Sequence, residues 1–268
     1  MGANRKISIM GIVNLTDDSY FAESRCVDVQ AAMDRIGRLV EEGADIIDIG
    51  ACSTRPGSLP VGAEEEWRRL EPVLAVFREN FQNVTLSIDT YWASVVEKAF
   101  ALVGPFIVND ISAGEADPEM LPTVGRLGLK YVAMHMRGMP ENMQSLTDYN
   151  DVVEDVLEYF RIFSKKAEIH GINDWILDPG FGFAKTLEQN YALMSGLERI
   201  QIEFPCRQIL VGVSRKSMIY RLLGITPEDA LPATQALHMA ALERGADILR
   251  VHDVAEAVRT VSLFKMMS

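Results

Sequence analysis

Polar residues able to do chemistry recur along the chain, each just after a short β-branched run. In order they are Asn14, Ser53-Thr54-Arg55, Asp89, Asn109-Asp110, His135 with Arg137, Asp178, Ser214-Arg215-Lys216-Ser217, and Arg250 with His252. They sort into two tasks. Asp89, Asn109, Asp178 and Lys216 mix acceptors with donors. That suits a flat heterocycle with alternating ring N, NH2 and C=O groups, since one carboxylate can receive two parallel N–H bonds. Arg55, Arg250 and His252, with Asn14, suit a polyanion such as pyrophosphate, held in part through a Mg2+ that keeps most of its waters. The run SRKS opens a helix, whose N-terminal amides can hold a carboxylate or phosphate. The glycines of LDPGFGFAKT could serve a phosphate loop, but the spacing before Gly-Lys in a P-loop is absent, which excludes an NTPase of that type. Each residue taken singly also has a structural reading: Asp89 as a helix cap, Asn109 as a turn residue, Arg215 as a solvated charge.

The elements that must position these residues alternate from end to end. Candidate strands at 7–13, 45–49, 84–88, 106–108, 131–134, 175–177, 208–211 and 248–251 are short and apolar on both faces, as in a covered parallel sheet. Between them lie helical stripes such as Val29, Ala32, Met33, Ile36, Leu39 and Val40, or Val153, Val156, Leu157 and Phe160. Thr226-Pro227-Glu228 and Asp117-Pro118-Glu119 read as an N-cap followed by proline at the first helical position. The word GADI occurs twice, in LVEEGADIIDIG and ALERGADILRVH, each time between a helical stripe and a strand, where glycine ends a helix cheaply. Eight such strands with no linker-like stretch predict one α/β domain over residues 1–268, a (β/α)8 TIM barrel. Its strand-end residues then converge on one mouth, the usual place for a barrel's active site. A doubly wound open sheet is the main rival, weakened because no GxGxxG follows the first strand. Lys6, Asp45, Thr85 and Lys130, at the opposite strand ends, read as solubilising positions.

Composition narrows the function. The chain has 268 residues, 48% apolar and 24% charged, which excludes disorder, collagen and coiled coil. No apolar run approaches the ~20 residues of a bilayer span. A net charge of −12 argues against nucleic acid or anionic membranes as partners. Cys26, Cys52 and Cys206 are far apart and form no CxxC pair, and the four histidines form no HxxxH pair. That argues against disulfides and a transition-metal site and for a reducing compartment. No signal-peptide cleavage site follows the first apolar run, so a cytoplasmic location is expected.

Eight blocks, in order from Gly11 to Val254, together resemble the dihydropteroate synthases of folate biosynthesis: GIVNLTDDSYF, DIGACSTRPGS, SIDTY, VNDISAG, MHMRGMPENMQ, LDPGFGFAKT, VGVSRKSMI and RVHDV. The resemblance implies condensation of (7,8-dihydropterin-6-yl)methyl diphosphate with 4-aminobenzoate to give 7,8-dihydropteroate and pyrophosphate, with sulfonamides as mimics of the aminobenzoate. It implies that Asp178 receives the pterin 2-amino and N3 hydrogens, that Asn109 pairs with the other ring edge, and that Lys216 reaches the O4/N5 side. Asp89 would lie near N8, while Asn14, Arg55, Arg250 and His252 would hold pyrophosphate and Mg2+. Thr54, Pro56 and Phe183 would border the aminobenzoate ring, with its carboxylate near Ser217. Asp89, Lys216, Arg250 and His252 are the residues expected to act on the reacting groups. No catalytic base is assigned, since the arylamine nitrogen is already nucleophilic. A homodimer is expected from the family's habit.

Three departures from the family pattern stand out. Asp17 replaces a proline and YFAESRC lacks the usual glycine pair, Ala51-Cys52 stand where Gly-Glu is usual, and Ala184 follows Phe183 where glycine is common. Cys52 reads as a packing residue rather than a nucleophile, because no partner histidine is evident. Two other readings are a pterin-binding methyl-transfer barrel, which has no use for STRPG, SRKS and RVH, and a non-catalytic pterin-binding paralogue.

Overall fold

The computed structural model of the chain describes residues 5–15, 25–52, 61–138 and 143–267. All eight expected segments form strands: β1 (Ser8–Asn14), β2 (Ile46–Gly50), β3 (Thr85–Asp89), β4 (Ile107–Asp110), β5 (Lys130–Met134), β6 (Trp175–Asp178), β7 (Leu210–Val211) and β8 (Ile248–Val251). The helices are α1 (Arg25–Glu41), α2 (Ala63–Asn80), α3 (Ala93–Val103), α4 (Met120–Leu127), α5 (Val152–Ile169), α6 (Leu187–Ser195), α7 (Leu197–Glu203), α8 (Ser217–Leu223), α9 (Leu231–Glu243) and α10 (Val254–Met267). Every strand pair is parallel, in the order β6-β5-β4-β3-β2-β1-β8-β7. A bridge between Leu177 and Ile209 brings β6 against β7 and rounds the sheet into a (β/α)8 barrel rather than an open doubly wound sheet. β7 is shorter than the expected 208–211 because it lies at this seam. There the Gln208 carbonyl accepts from Leu177 on one side while the Ile209 carbonyl accepts from Asp247 and Ile248 on the other.

The two-residue period of a strand separates two cores. Met10, Ile46, Ile107, Val132, Ile176, Leu210 and Ile248 fill the barrel interior as one buried layer. The intervening residues, among them Ile47, Ile49, Leu86, Val108, Leu177 and Leu249, pack outward against the helices. Two residues further on, the inward face of four strands turns polar, with Asp48 after Ile46, Asn109 after Ile107, Asp178 after Ile176 and Arg250 after Ile248. The barrel is therefore closed by hydrocarbon at one end and polar at the other.

The recurring GADI word has one structural meaning in both copies. Gly43 and Gly245 sit at φ of 103° and 104°, where a side chain would be strained, and each turns the chain from helix to strand. The next aspartate then reaches sideways: Asp45 Oδ2 accepts from the Ile9 N–H at 2.8 Å, and Asp247 Oδ2 from the Ile209 N–H at 2.9 Å. Asp45 is thus more than the solubilising residue expected, since it secures a neighbouring strand. Both proposed N-caps also need correction. Asp117 lies a turn before α4, accepting from Glu119 N–H at 3.0 Å, and its other oxygen accepts from Ala93 N–H at the start of α3. Thr226-Pro227-Glu228 leads into a 3-10 turn at Glu228–Ala230, and α9 begins only at Leu231.

Asp247→Ala is expected to lower stability by about 1–3 kcal/mol, because the Ile209 N–H loses a charged acceptor at the barrel seam. Asp45→Ala, at a more exposed carboxylate, should cost less. Urea unfolding measures both, and an Asp247→Ala midpoint equal to wild type would refute the pinning role.

Candidate active site

Arg250 lies at the centre of the polar end. From β8 its Nε donates to Asp48 Oδ2 at 2.7 Å and its Nη2 to Asp89 Oδ2 at 2.8 Å. Asp48, wholly buried on β2, also accepts from Ser87 Oγ at 2.6 Å and from Asn109 Nδ2 at 3.0 Å. One carboxylate therefore joins β2, β3, β4 and β8. Burial opposes the Arg250 charge, but Asp48 and Asp89 outweigh it and hold the guanidinium above its ordinary value. Burial pushes the Asp89 carboxyl up while Arg250 draws it back. Asp48 lies inside the run IIDIG and not after it, so the strand-end pattern does not reveal it. The available signal was its charge at the inward phase of Ile46.

Asp178 closes the opposite side. It is buried at the end of β6, and its Oδ1 accepts from the Gly180 N–H at 2.8 Å. Burial raises its carboxyl, and Lys216 heads the groups that lower it. Lys216 Nζ donates to the Phe181 carbonyl at 2.6 Å and stands 4.8 Å from the centre of the Phe183 ring, with burial lowering its ammonium to about 8. Gly180 has a φ of +70°, and a Cβ there would stand 2.0 Å from the His135 carbonyl oxygen, so no other residue fits. Ala184, in the place where glycine is common, adopts a φ of 49°. Its left-handed backbone costs about 1–2 kcal/mol, offset in part by about 0.8 kcal/mol for a buried methyl. That methyl belongs to a buried cluster with Tyr91, Ile111, Met134, Met136 and Met143.

At the rim, His252 Nδ1 lies 3.0 Å from Ser214 Oγ, and burial lowers its imidazole to about 4. It is therefore neutral at pH 7, a hydrogen-bonding group and not the cation that a polyanion site first suggests. Asn14 is the exposed residue at the end of the otherwise buried β1, and Ser217 is the first residue of α8, half-buried. Thr54, Arg55 and Pro56 lie outside the described residues, as does Asp17.

Several strand-end residues serve the frame instead. Asp110 is on the outward phase of β4, where it accepts from Ser112, Gly114 and Tyr131 and holds the following loop. Arg215 forms a two-pronged ion pair with Asp253, both contacts at 2.8 Å, so SRKS supplies Lys216 but not Arg215 to the mouth. Arg137 stacks over Tyr149 at 3.8 Å. Burial raises the Cys52 thiol, which agrees with a packing role. One further group was not foreseen. Glu66 of α2 is fully buried, and burial, with Asp89 and Asp110, pushes its carboxyl up to about 8 against a hydrogen bond from Thr90 and the charge of Arg69.

Among the described residues no three His, Cys, Asp or Glu side chains form a metal cluster. An all-protein cage is thus missing from that part of the chain. The exposed Asn14 amide fits a Mg2+ that takes most of its ligands from substrate phosphates and water. No helix among the described residues is long and apolar enough to cross a membrane.

A parallel barrel with an acid- and lysine-lined mouth defines the class, and comparison with known proteins narrows it. Residues 10–252 match the pterin binding enzyme family. The dihydropteroate synthase of Neisseria meningitidis serogroup C is 43% identical, across 93% of this chain and 88% of its own. The Yersinia pestis dihydropteroate synthase, solved with a sulfonamide drug, superposes with a TM-score of 0.90 at 35% identity over 100% of this chain and 96% of its own. The Xanthomonas albilineans enzyme in complex with 7,8-dihydropteroate gives 0.86 at 35% identity, covering 100% and 95%. The chain belongs to the pterin-binding enzymes and, within them, to the dihydropteroate synthase family. It spans about half the length of the bifunctional folate-synthesis proteins it matches in pea and Arabidopsis, 53% and 48%.

Glu66 makes stability depend on pH. An acid with a folded pKa above its unfolded one binds an extra proton when folded, so its contribution is present at low pH and is lost as pH rises from about 4.5 to about 8. The loss is roughly 3–5 kcal/mol at ~1.4 kcal/mol per unit. Glu66→Gln, neutral at every pH, is expected to flatten this part of the profile and to exceed wild type in stability at pH 9. Urea titrations at pH 5, 7 and 9 test this, and an unchanged slope would sink it.

Proposed function

We propose that this chain is a dihydropteroate synthase, joining (7,8-dihydropterin-6-yl)methyl diphosphate to 4-aminobenzoate. The observation that carries the reading is the inward polar layer of Asp48, Asp89, Asn109, Asp178, Lys216 and Arg250 at the mouth of a pterin-binding barrel. In this reading Asp178 receives the 2-amino and N3 hydrogens of the pterin. Its Oδ1 is already oriented by Gly180, so the carboxylate is preorganised for two parallel bonds. Asn109, whose Nδ2 is committed to Asp48, offers its amide oxygen to the other ring edge. Lys216 serves the O4/N5 side.

Loss of pyrophosphate from a CH2 conjugated to an electron-rich ring develops positive charge at carbon and negative charge on the leaving group. The carboxyl groups of Asp89 and Asp178, which Arg250 and Lys216 draw toward ionisation against burial, favour the first, and the Arg250 guanidinium favours the second. Because Arg250 Nε and Nη2 are held by carboxylates, its Nη1 edge is the part offered to the diphosphate. Neutral His252 donates from Nε2 if Ser214 donates to Nδ1. A bound Mg2+, with Asn14 as one ligand, would supply charge neutralisation on the diphosphate. The C–O bond breaks, the arylamine nitrogen forms the new C–N bond, and its proton leaves to the released pyrophosphate or to solvent. Holding the amine beside the CH2 contributes more than a general base would.

Thr54, Arg55 and Pro56 join the aminobenzoate and phosphate sides on resemblance alone, with Phe183 and Ser217 completing the aminobenzoate border. The resemblance likewise supports a homodimer, a cytoplasmic location and sulfonamide sensitivity as parts of this proposal, and the sulfonamide-bound Yersinia relative supports the last.

Pyrophosphate release from the pterin diphosphate with Mg2+ should require 4-aminobenzoate. Release that ignores the arylamine, or none at all, would overturn the reading. Asp178→Asn should weaken pterin binding by at least about 1.5–3 kcal/mol, measured by calorimetry. Affinity equal to wild type would remove Asp178 from the pterin site.

A further inference from the structure

The lysine of LDPGFGFAKT has no role in the reaction described above, yet it is among the most unusual side chains in the barrel. Lys185 is 4% exposed. Its Nζ lies 3.0 Å from His135 Nδ1, 3.0 Å from the Gly180 carbonyl oxygen and 3.1 Å from the Phe183 carbonyl oxygen. An ammonium has three N–H groups, and here three acceptors surround it. No carboxylate lies within ion-pair distance of Nζ among the described residues. Burying a cation with carbonyl and imidazole partners alone is costly, and a methionine would fill a similar volume without that cost.

What the three bonds hold together explains the cost. The Gly180 N–H orients Asp178 Oδ1, and the Gly180 carbonyl is held by Lys185. The Phe183 carbonyl is also held by Lys185, while its ring faces Lys216. His135, on the far side, follows β5, and its backbone N–H donates to the Asp178 carbonyl at 2.9 Å. We propose that Lys185 is a positioning residue for both substrates, its ammonium clamping the 180–183 turn to the end of β5 so that Asp178 is aimed at the pterin and Phe183 at the aminobenzoate. This rests on the dihydropteroate synthase reading.

The charge of Lys185 adds a second action. Its ammonium favours the ionised form of Asp178, the form that accepts two pterin hydrogens. The other groups facing it are His135, kept neutral by burial and by Lys185 and Arg137, then Asp178, Lys216 and Arg137. The rings of Tyr149 and Tyr159 close over His135. Burial lowers Lys185 to about 7, so bound pterin, by retaining the Asp178 carboxylate, would favour the charged lysine.

The test uses Lys185→Met in the full chain, with pterin affinity by calorimetry across pH, KM for 4-aminobenzoate, and urea stability. Pterin affinity at pH 6.5, where Lys185 is charged, should fall roughly tenfold, the loss of one charged hydrogen-bond network. KM for 4-aminobenzoate should rise, and the acidic limb of pterin binding should move up by roughly one pH unit or more, since a nearby cation no longer favours the carboxylate. A folded variant with wild-type affinity, KM and acidic limb, whatever its stability, overturns the proposal. If Lys185→Met does not fold, Lys185→Gln, uncharged but still able to donate to both carbonyls, is judged by the same acidic limb. Absence of pterin binding by the wild-type protein would instead defeat the reading of function, so the two failures are distinguishable.

Discussion

The polar end of this barrel depends on a buried cation shared between two carboxylates. Arg250 bridges Asp48 and Asp89, and Asp48 in turn collects Ser87 and Asn109. Remove the guanidinium and two acids are left side by side in a low-dielectric interior, where each raises the cost of ionising the other. Replace either acid and the arginine loses the contacts that orient it. Four strands are held in register around this network. In the proposed function, a heterocycle entering the mouth therefore meets donors and acceptors that are already fixed, with little reorganisation left to do on binding.

A second constraint is the strand's two-residue period. It places Asn109 inside the barrel and Asp110 outside it, although the two are adjacent and equally polar. Asn109 joins the Asp48 network, while Asp110 accepts from Tyr131 and the loop that follows β4. The same period turns IIDIG from an apolar strand with one odd letter into a strand that carries a central acid of the site. In both cases phase, not residue type, decides between site and frame.

The β6–α6 turn shows how a loop can be made as exact as a strand. Gly180 passes so close to the His135 carbonyl that any side chain would collide, and Lys185 fastens the turn from within. Ala184 accepts a left-handed backbone and returns part of the cost through its buried methyl. The absence of glycine there, which looks like a departure in the sequence, leaves the turn intact.

Much was legible in the sequence. Apolar strands at regular spacing specified a parallel barrel, and the residues after each strand marked its mouth, because strand ends in a barrel converge whatever the loops do. Asp178, Asn109, Asp89, Lys216 and Arg250 are legible this way as residues of the polar end, where the structure places them, and the eight ordered blocks point to the family. The sequence could not show which polar strand-end residues serve the frame, as Arg215 does with Asp253, because that depends on partners 38 positions away. Nor could it show that Asp48, Glu66 and Lys185 are buried beside the site, or that His252 is neutral there. Burial and partner geometry set the charge state of a side chain, and both arise only when distant segments pack. Composition and periodicity thus determined the barrel and its polar mouth, while tertiary contact alone decided which charges are paired, which are neutral and which are left for a ligand.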